Sequence, residues 1–154
     1  MEEGTPNPKF PVRPKIQQGL EGNISNSDVK ITIIDDSDFS RQALAQILQA
    51  EGFSIVGSLK SAASSLAQME VNPCHICLLD VVMPDISGLE LAKEMRNRFS
   101  DVQIIMMSSI QSETMVIDCI AAGAIDYLQK PFTKEDLLKS IYAAIDNLQK
   151  QNFR

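Results

Sequence analysis

Four short apolar runs recur along this chain, VKITII, ICLLD, VQIIMM and AIDYL, with stretches of helical spacing between them. Their content of Ile, Leu and Val marks strands buried on both faces. Buried strands that alternate with helices leave few architectures open, and the one they favour is an α/β, doubly wound parallel sheet. A further strand at Phe53–Ser58 makes five βα units. In such sheets ligands bind in the crevice at the carboxyl ends of the strands. Chemistry is therefore to be sought where each apolar run stops.

In chain order the spacing predicts strands at Val29–Ile34, Phe53–Ser58, His75–Leu79, Val102–Met107 and Ile125–Gln129. The first helix runs from about Ser37 to Ala50 with Phe39, Ala43, Leu44, Ile47 and Leu48 on one face, and Gly52 ends it. A small-residue helix, SAASSLAQME, follows, anchored by Leu66 and Met69. After the Pro- and Gly-marked loop DVVMPDISG come helices at Leu89–Phe99 and about Ser112–Ala122. Thr133 then caps a last helix that carries Leu137, Leu138, Ile141, Ala144 and Leu148 on its buried face. Before Val29 the composition changes: Pro6, Pro8, Pro11, Pro14, Gly19, Gly22 and the polar NISNSD offer too little apolar surface to offset the entropy of ordering. Residues 1–28 are expected to form a flexible N-terminal extension, with Phe10, Val12, Ile16 and Leu20 able to dock, and 150–154 a C-terminal tail.

Where the runs stop stand Asp35-Asp36, Asp80, Ser108 and Lys130-Pro131. Three carboxylates gathered at strand ends repel one another, so their ionised form calls for a cation. Hard oxygen ligands without a nearby His or Cys select Mg²⁺, or Mn²⁺. The net charge of −6 and a pI near 4.7 fit that demand and argue against direct nucleic-acid binding, which needs a basic stripe. One carboxylate can then attack phosphorus to give an acyl phosphate. Lys130 supplies a mobile cation and Ser108 a hydroxyl donor for the transferring oxygens.

Taken together, Asp35-Asp36, Asp80 followed by VVMPDISG, Ser108-Ser109 and Lys130-Pro131-Phe132 resemble the response-regulator receiver domain, the CheY-like family of two-component phosphoacceptors. The resemblance covers about Val29 to Leu148. It implies a flavodoxin-like (βα)5 fold, with the receiver domain at 29–149. It also implies Asp80 as phosphoacceptor, Asp36 as direct metal ligand, Asp35 acting through water and the Val82 carbonyl as a further ligand. Ser108 becomes the switch hydroxyl, Lys130 its salt-bridge partner, Tyr127 the switch aromatic, and Lys130-Pro131 a cis peptide bond. In the family, the positions two beyond the acceptor and two beyond the hydroxyl flank the path of the hydrolytic water. Here they are Val82 and Ile110, neither able to orient a water, which implies a long-lived phosphoryl group.

The implied function is a stand-alone receiver, monomer or weak homodimer, that takes a phosphoryl group from a histidine kinase or phosphotransfer protein. It would then switch its fourth helix, fifth strand and fifth helix toward a protein target, catalysing only its own phosphorylation and dephosphorylation. A haloacid-dehalogenase-type phosphatase is the rival, since Asp36-x-Asp38 resembles that family's nucleophile motif, but five βα units leave no lid domain and Glu135-Asp136 begin a helix. A pseudo-receiver that works without phosphorylation is the third reading, opposed by the complete acidic, hydroxyl and lysine set. No apolar stretch approaches a membrane span, the N-terminus has no leader-like region, and three cysteines suit a reducing compartment, so a cytoplasmic protein is expected. Cys74 and Cys77, three apart on a strand, should point to opposite faces and simply pack. His75 is expected at the strand edge, and Met106 and Met107 in the core.

Overall fold

The computed structural model describes residues 25–152. Its single sheet contains β1 (Lys30–Ile34), β2 (Ser54–Leu59), β3 (Ile76–Asp80), β4 (Gln103–Ser108) and β5 (Asp126–Gln129). All pair in parallel in the order β2-β1-β3-β4-β5. Between and after them run α1 (Asp38–Ala50), α2 (Ser65–Val71), α3 (Gly88–Arg98), α4 (Glu113–Ala121) and α5 (Lys134–Asn152). This is the expected doubly wound, flavodoxin-like fold.

The two-residue period of the strands sorts their side chains into two cores. Ile31, Ile33, Ile76, Leu78, Ile105 and Met107 face α1 and α5, where Leu44, Leu48, Leu137 and Ile141 close over them. Ile34, Cys77, Leu79, Ile104 and Met106 face the other way, against Met69 of α2, Leu91 and Met95 of α3 and Cys119 of α4. At roughly 25 cal/mol per Å² of apolar surface removed from water, these two layers supply most of the drive to fold. At the end of α1, Gly52 takes φ 97°, the left-handed conformation that closes a helix cheaply only in glycine.

Several expectations need correction. Phe39 is 81% exposed, although α1 was expected to bury it. It stands five residues before Leu44, about 140° around the helix, so it leaves the face that Leu44 and Leu48 turn to the sheet. The second helix starts at Ser65 rather than Ser61. Cys74 and Cys77 do not part to opposite faces: β3 begins at Ile76, so Cys74 lies outside the strand's alternation and joins Cys77 in the second core. Both are buried free thiols, as is Cys119, and burial pushes the pKa of all three up, to about 11 for Cys119.

At the chain ends, residues 25–28 do not follow the pattern of a flexible extension. Asn26–Asp28 form a 3-10 turn, Asn26 Nδ2 donates to the Glu51 carbonyl at 2.7 Å and Ser54 Oγ to the Ser27 carbonyl at 2.7 Å. The rest of the extension, with Phe10, Val12, Ile16 and Leu20, lies outside the described residues. The expected tail from residue 150 instead continues α5 to Asn152. Thr133 does cap that helix, its Oγ1 accepting from the Asp136 N–H at 3.0 Å.

Candidate functional site

Strand register brings the four sequence points to one edge. Ile34 lies beside Leu79, Asp80 beside Met107 and Ser108 beside Gln129, so Asp35, Asp80, Ser108 and Lys130 all emerge at the carboxyl ends of adjacent strands. Backbone bonds lock the corners together. The Asp35 N–H donates to the Leu59 carbonyl at 3.0 Å, Val81 to Met107 at 2.9 Å and Lys130 to Ser108 at 2.7 Å. The Lys130-Pro131 peptide bond is cis.

Asp35 is fully buried and held from several sides. Its Oδ2 takes Lys130 Nζ at 2.7 Å, its Oδ1 accepts from the Ser37 N–H at 2.9 Å, and its carbonyl accepts from Arg41 Nη1 at 2.6 Å. Asp36, by contrast, is exposed. Asp80 is 7% exposed, with Lys130 Nζ 3.7 Å from its Oδ2 and the Val82 N–H 3.4 Å from its Oδ1. Burial pushes the Asp80 carboxyl up to about 6; Lys130 and the Val82 N–H pull the other way, and the neighbouring Asp35 and Asp36 add to the rise. Asp35, Asp36 and Asp80 each offer an oxygen, and these three lie within 4.8 Å of one another. A donor set made only of carboxylates fits a hard divalent cation, whose charge would offset the burial that disfavours the ionised form of Asp80.

Gly88 fixes how closely α3 approaches Asp80. A Cβ there would sit 2.2 Å from the Asp80 carbonyl oxygen, a distance no side chain tolerates. Its N–H donates to the Val81 carbonyl at 2.7 Å.

On the β4 side, Ser108 is buried and its Oγ accepts from the Ile110 N–H at 3.1 Å, which leaves the hydroxyl hydrogen to donate elsewhere. Tyr127 lies half-buried against the second core and donates its hydroxyl to the Ile110 carbonyl. One peptide segment thus touches both residues expected to switch. The Val82 side chain is 58% exposed, and with Ile110, Ile86, Leu89 and Met115 it lines a cavity of about 310 Å³ beside the acid cluster.

Residues 31–142 match the family described as "Response regulator receiver domain". The chain belongs to that family. This receiver is 32% identical over 112 residues to the chemotaxis protein CheY of Bacillus subtilis, an alignment that covers 73% of this chain and 93% of that one. To the response regulator protein TodT of Pseudomonas putida it is 33% identical, covering 88% of this chain and 59% of that longer regulator. Among solved structures it resembles the CheX-CheY-BeF3-Mg complex of Borrelia burgdorferi, with a TM-score of 0.72, 26% identity, and 77% and 93% of the two chains covered. It is thus a two-component receiver of CheY-like fold.

Sequence reasoning missed some of what the receiver site uses. Arg41 and the Ser37 N–H, which hold Asp35, had no visible signal beyond their closeness to the acidic pair. Asp38, which the phosphatase reading places beside Asp36, is 79% exposed and pairs with Arg41. His75 is no ligand: its Nδ1 accepts from the Lys30 N–H at 2.9 Å, far from the acid cluster at the strands' other end. No helix among the described residues is long and apolar enough to cross a membrane.

Proposed function

We propose that this receiver accepts a phosphoryl group on Asp80 from a histidine kinase or phosphotransfer protein. The observation that carries the reading is the meeting of three carboxylates within 4.8 Å, with Lys130 Nζ reaching both buried ones. A Mg²⁺ or Mn²⁺ ion would be held by Asp36 and Asp80, by Asp35 through water and by the Val82 carbonyl, and it neutralises charge on the phosphoryl oxygens when bound. An Asp80 carboxylate oxygen attacks phosphorus and the donor's P–N bond breaks, with the imidazole leaving. Lys130 stays beside the new acyl phosphate, and Ser108 donates its hydroxyl hydrogen to a phosphoryl oxygen. In this reading the chain catalyses only its own phosphorylation and the later hydrolysis of the acyl phosphate, in which water attacks phosphorus, inorganic phosphate leaves and the Asp80 carboxylate is regenerated.

Output is protein–protein. As Ser108 turns to the phosphoryl group it loosens from the Ile110 N–H, and the Ile110 carbonyl carries that shift to Tyr127. The surface of α4, β5 and α5 changes with it, where Val116, Ile117 and Ile120 already stand exposed for a partner. A ligand shifts such an equilibrium only by its differential contacts with the two states. CheX is bound to CheY in the Borrelia complex, a precedent for a receiver that binds another protein. Val82 and Ile110 offer no hydrogen bond to a hydrolytic water, so the phosphorylated state is slow to decay.

Incubation with Mg²⁺ and acetyl phosphate should label Asp80, detected as a base-labile mass increase, and Asp80→Asn should remove the label. Ser108→Ala should still be labelled yet fail to change its surface, read by amide exchange in α4 and β5. Undiminished labelling of Asp80→Asn would place the acceptor elsewhere.

A further inference from the structure

A cation in the first turn of a helix faces the positive end of the helix dipole and weakens the helix. Arg41 closes that turn in α1 as its fourth residue. Its placement therefore calls for a reason outside the helix. The side chain is only 14% exposed, too buried for a solvated surface charge.

Its two terminal nitrogens have separate tasks. Nη1 donates to the Asp35 carbonyl at 2.6 Å, and Nη2 pairs with the Asp38 carboxylate, which is itself exposed. The Asp35 side chain is meanwhile fixed by Lys130 and the Ser37 N–H. Lys130 and Ser37 settle where the carboxylate of Asp35 lies. Among the described residues, Arg41 is the side chain that holds its carbonyl, the peptide group that leads into Asp36. The direction in which that peptide turns determines where the Asp36 oxygen stands relative to Asp80.

We infer that Arg41 is a positioning residue for the cation site: its guanidinium fixes the Asp35-Asp36 peptide so that Asp36 faces Asp80. This rests on the reading of Asp35, Asp36 and Asp80 as a Mg²⁺ site. The planar fork suits the task, since one guanidinium can satisfy a carbonyl and a carboxylate at once where an ammonium is a point charge. Partners that orient a metal's ligands commonly matter tenfold or more to metal affinity.

The sign of the effect separates this role from simple charge. A positive group near a cation site repels the cation, so if charge alone mattered, removing Arg41 would tighten Mg²⁺ binding. Positioning requires the opposite. Arg41→Met keeps the aliphatic stem and good helix propensity and relieves the conflict with the dipole, which offsets part of the cost of leaving the Asp35 carbonyl without its donor.

Isothermal titration of the full chain with MgCl₂ tests the inference. Arg41→Met should raise the Mg²⁺ Kd about tenfold while remaining fully folded at the titration temperature, and Arg41→Lys, which can still reach the carbonyl with one donor, about threefold. A Kd for Arg41→Met equal to or tighter than wild type, or a lowered midpoint with unchanged Kd, overturns the role. Should Arg41→Met fail to fold, Arg41→Lys decides by itself, an unchanged Kd counting against positioning. Wild type that takes up no Mg²⁺ would instead overturn the cation-site reading on which this one rests.

Discussion

The two ends of the sheet treat ionisable groups drawn at least partly out of water in opposite ways. At the amino end, His75 is kept neutral, its pKa lowered to about 4 by burial and by Lys30, and its Nδ1 is satisfied by the Lys30 N–H at 2.9 Å. At the carboxyl end, Asp80 is pushed up to about 6, and one lysine is spread over two buried carboxylates at 2.7 and 3.7 Å. The amino end answers a polar group within the chain. The carboxyl end leaves negative charge for something outside the chain to answer, and perturbed groups of that kind concentrate at functional sites.

The largest expected effect comes from deepening the imbalance. Lys130→Met strips the buried Asp35 of its ion pair, and breaking such a pair from one side typically costs about 3–5 kcal/mol. Urea unfolding in EDTA should show that loss, with Mg²⁺ restoring part of it. A variant as stable as wild type would mean the carboxyl end is not strained in the way described.

Relieving the imbalance should do the reverse. Because the folded pKa of Asp80 lies above its ordinary value of 3.8, its contribution is fully present below that value and is lost as pH rises through about 6. Asp80→Asn removes the penalty, so in EDTA at pH 7.5 it should unfold on the order of 2–3 kcal/mol harder than wild type, and near pH 4 about equally. Equal stability at both pH values would remove the contrast between the two ends.

His75 supplies the opposite slope. Its folded pKa is depressed, so its contribution is present above 6.5 and fades as pH falls toward 4. His75→Gln should lose roughly 2 kcal/mol less than wild type between pH 7 and pH 4, allowing for its partial exposure. Over the same window the Asp80 variant should lose more than wild type, and two variants diverging in one direction would refute the pairing of signs.

The smallest effect concerns timing. Val82→Asn combined with Ile110→Glu should speed decay of phospho-Asp80 about tenfold, or about 1.4 kcal/mol of barrier, measured by loss of label after donor removal. An unchanged rate would leave both residues as packing alone.

Much of this was legible from residue order because parallel sheets confine strand ends to one edge. Asp35, Asp80, Ser108 and Lys130 needed only their places after apolar runs to be brought together. Less legible was anything set by a rotation about a helix or a shift in a strand's first residue. Phe39 has the right spacing for a buried face but stands on the wrong side of Leu44, and Cys74 joins the core of Cys77 because it precedes the first residue of β3, Ile76, and escapes the strand's alternation. The fork of Arg41 onto a backbone carbonyl left no trace either, since main-chain acceptors are the same at every position.

That sameness has a consequence at Ile110. The segment ties Ser108 to Tyr127 through its N–H and its carbonyl, and neither belongs to the isoleucine side chain. Any residue other than proline could stand there without cutting the tie. The side chain is thereby free to vary without touching that tie, and under the proposed lifetime role it would vary with how long a message lasts. On that proposal, memory and mechanical linkage would share a position but not atoms, so a lineage could lengthen or shorten its signal without rewiring it.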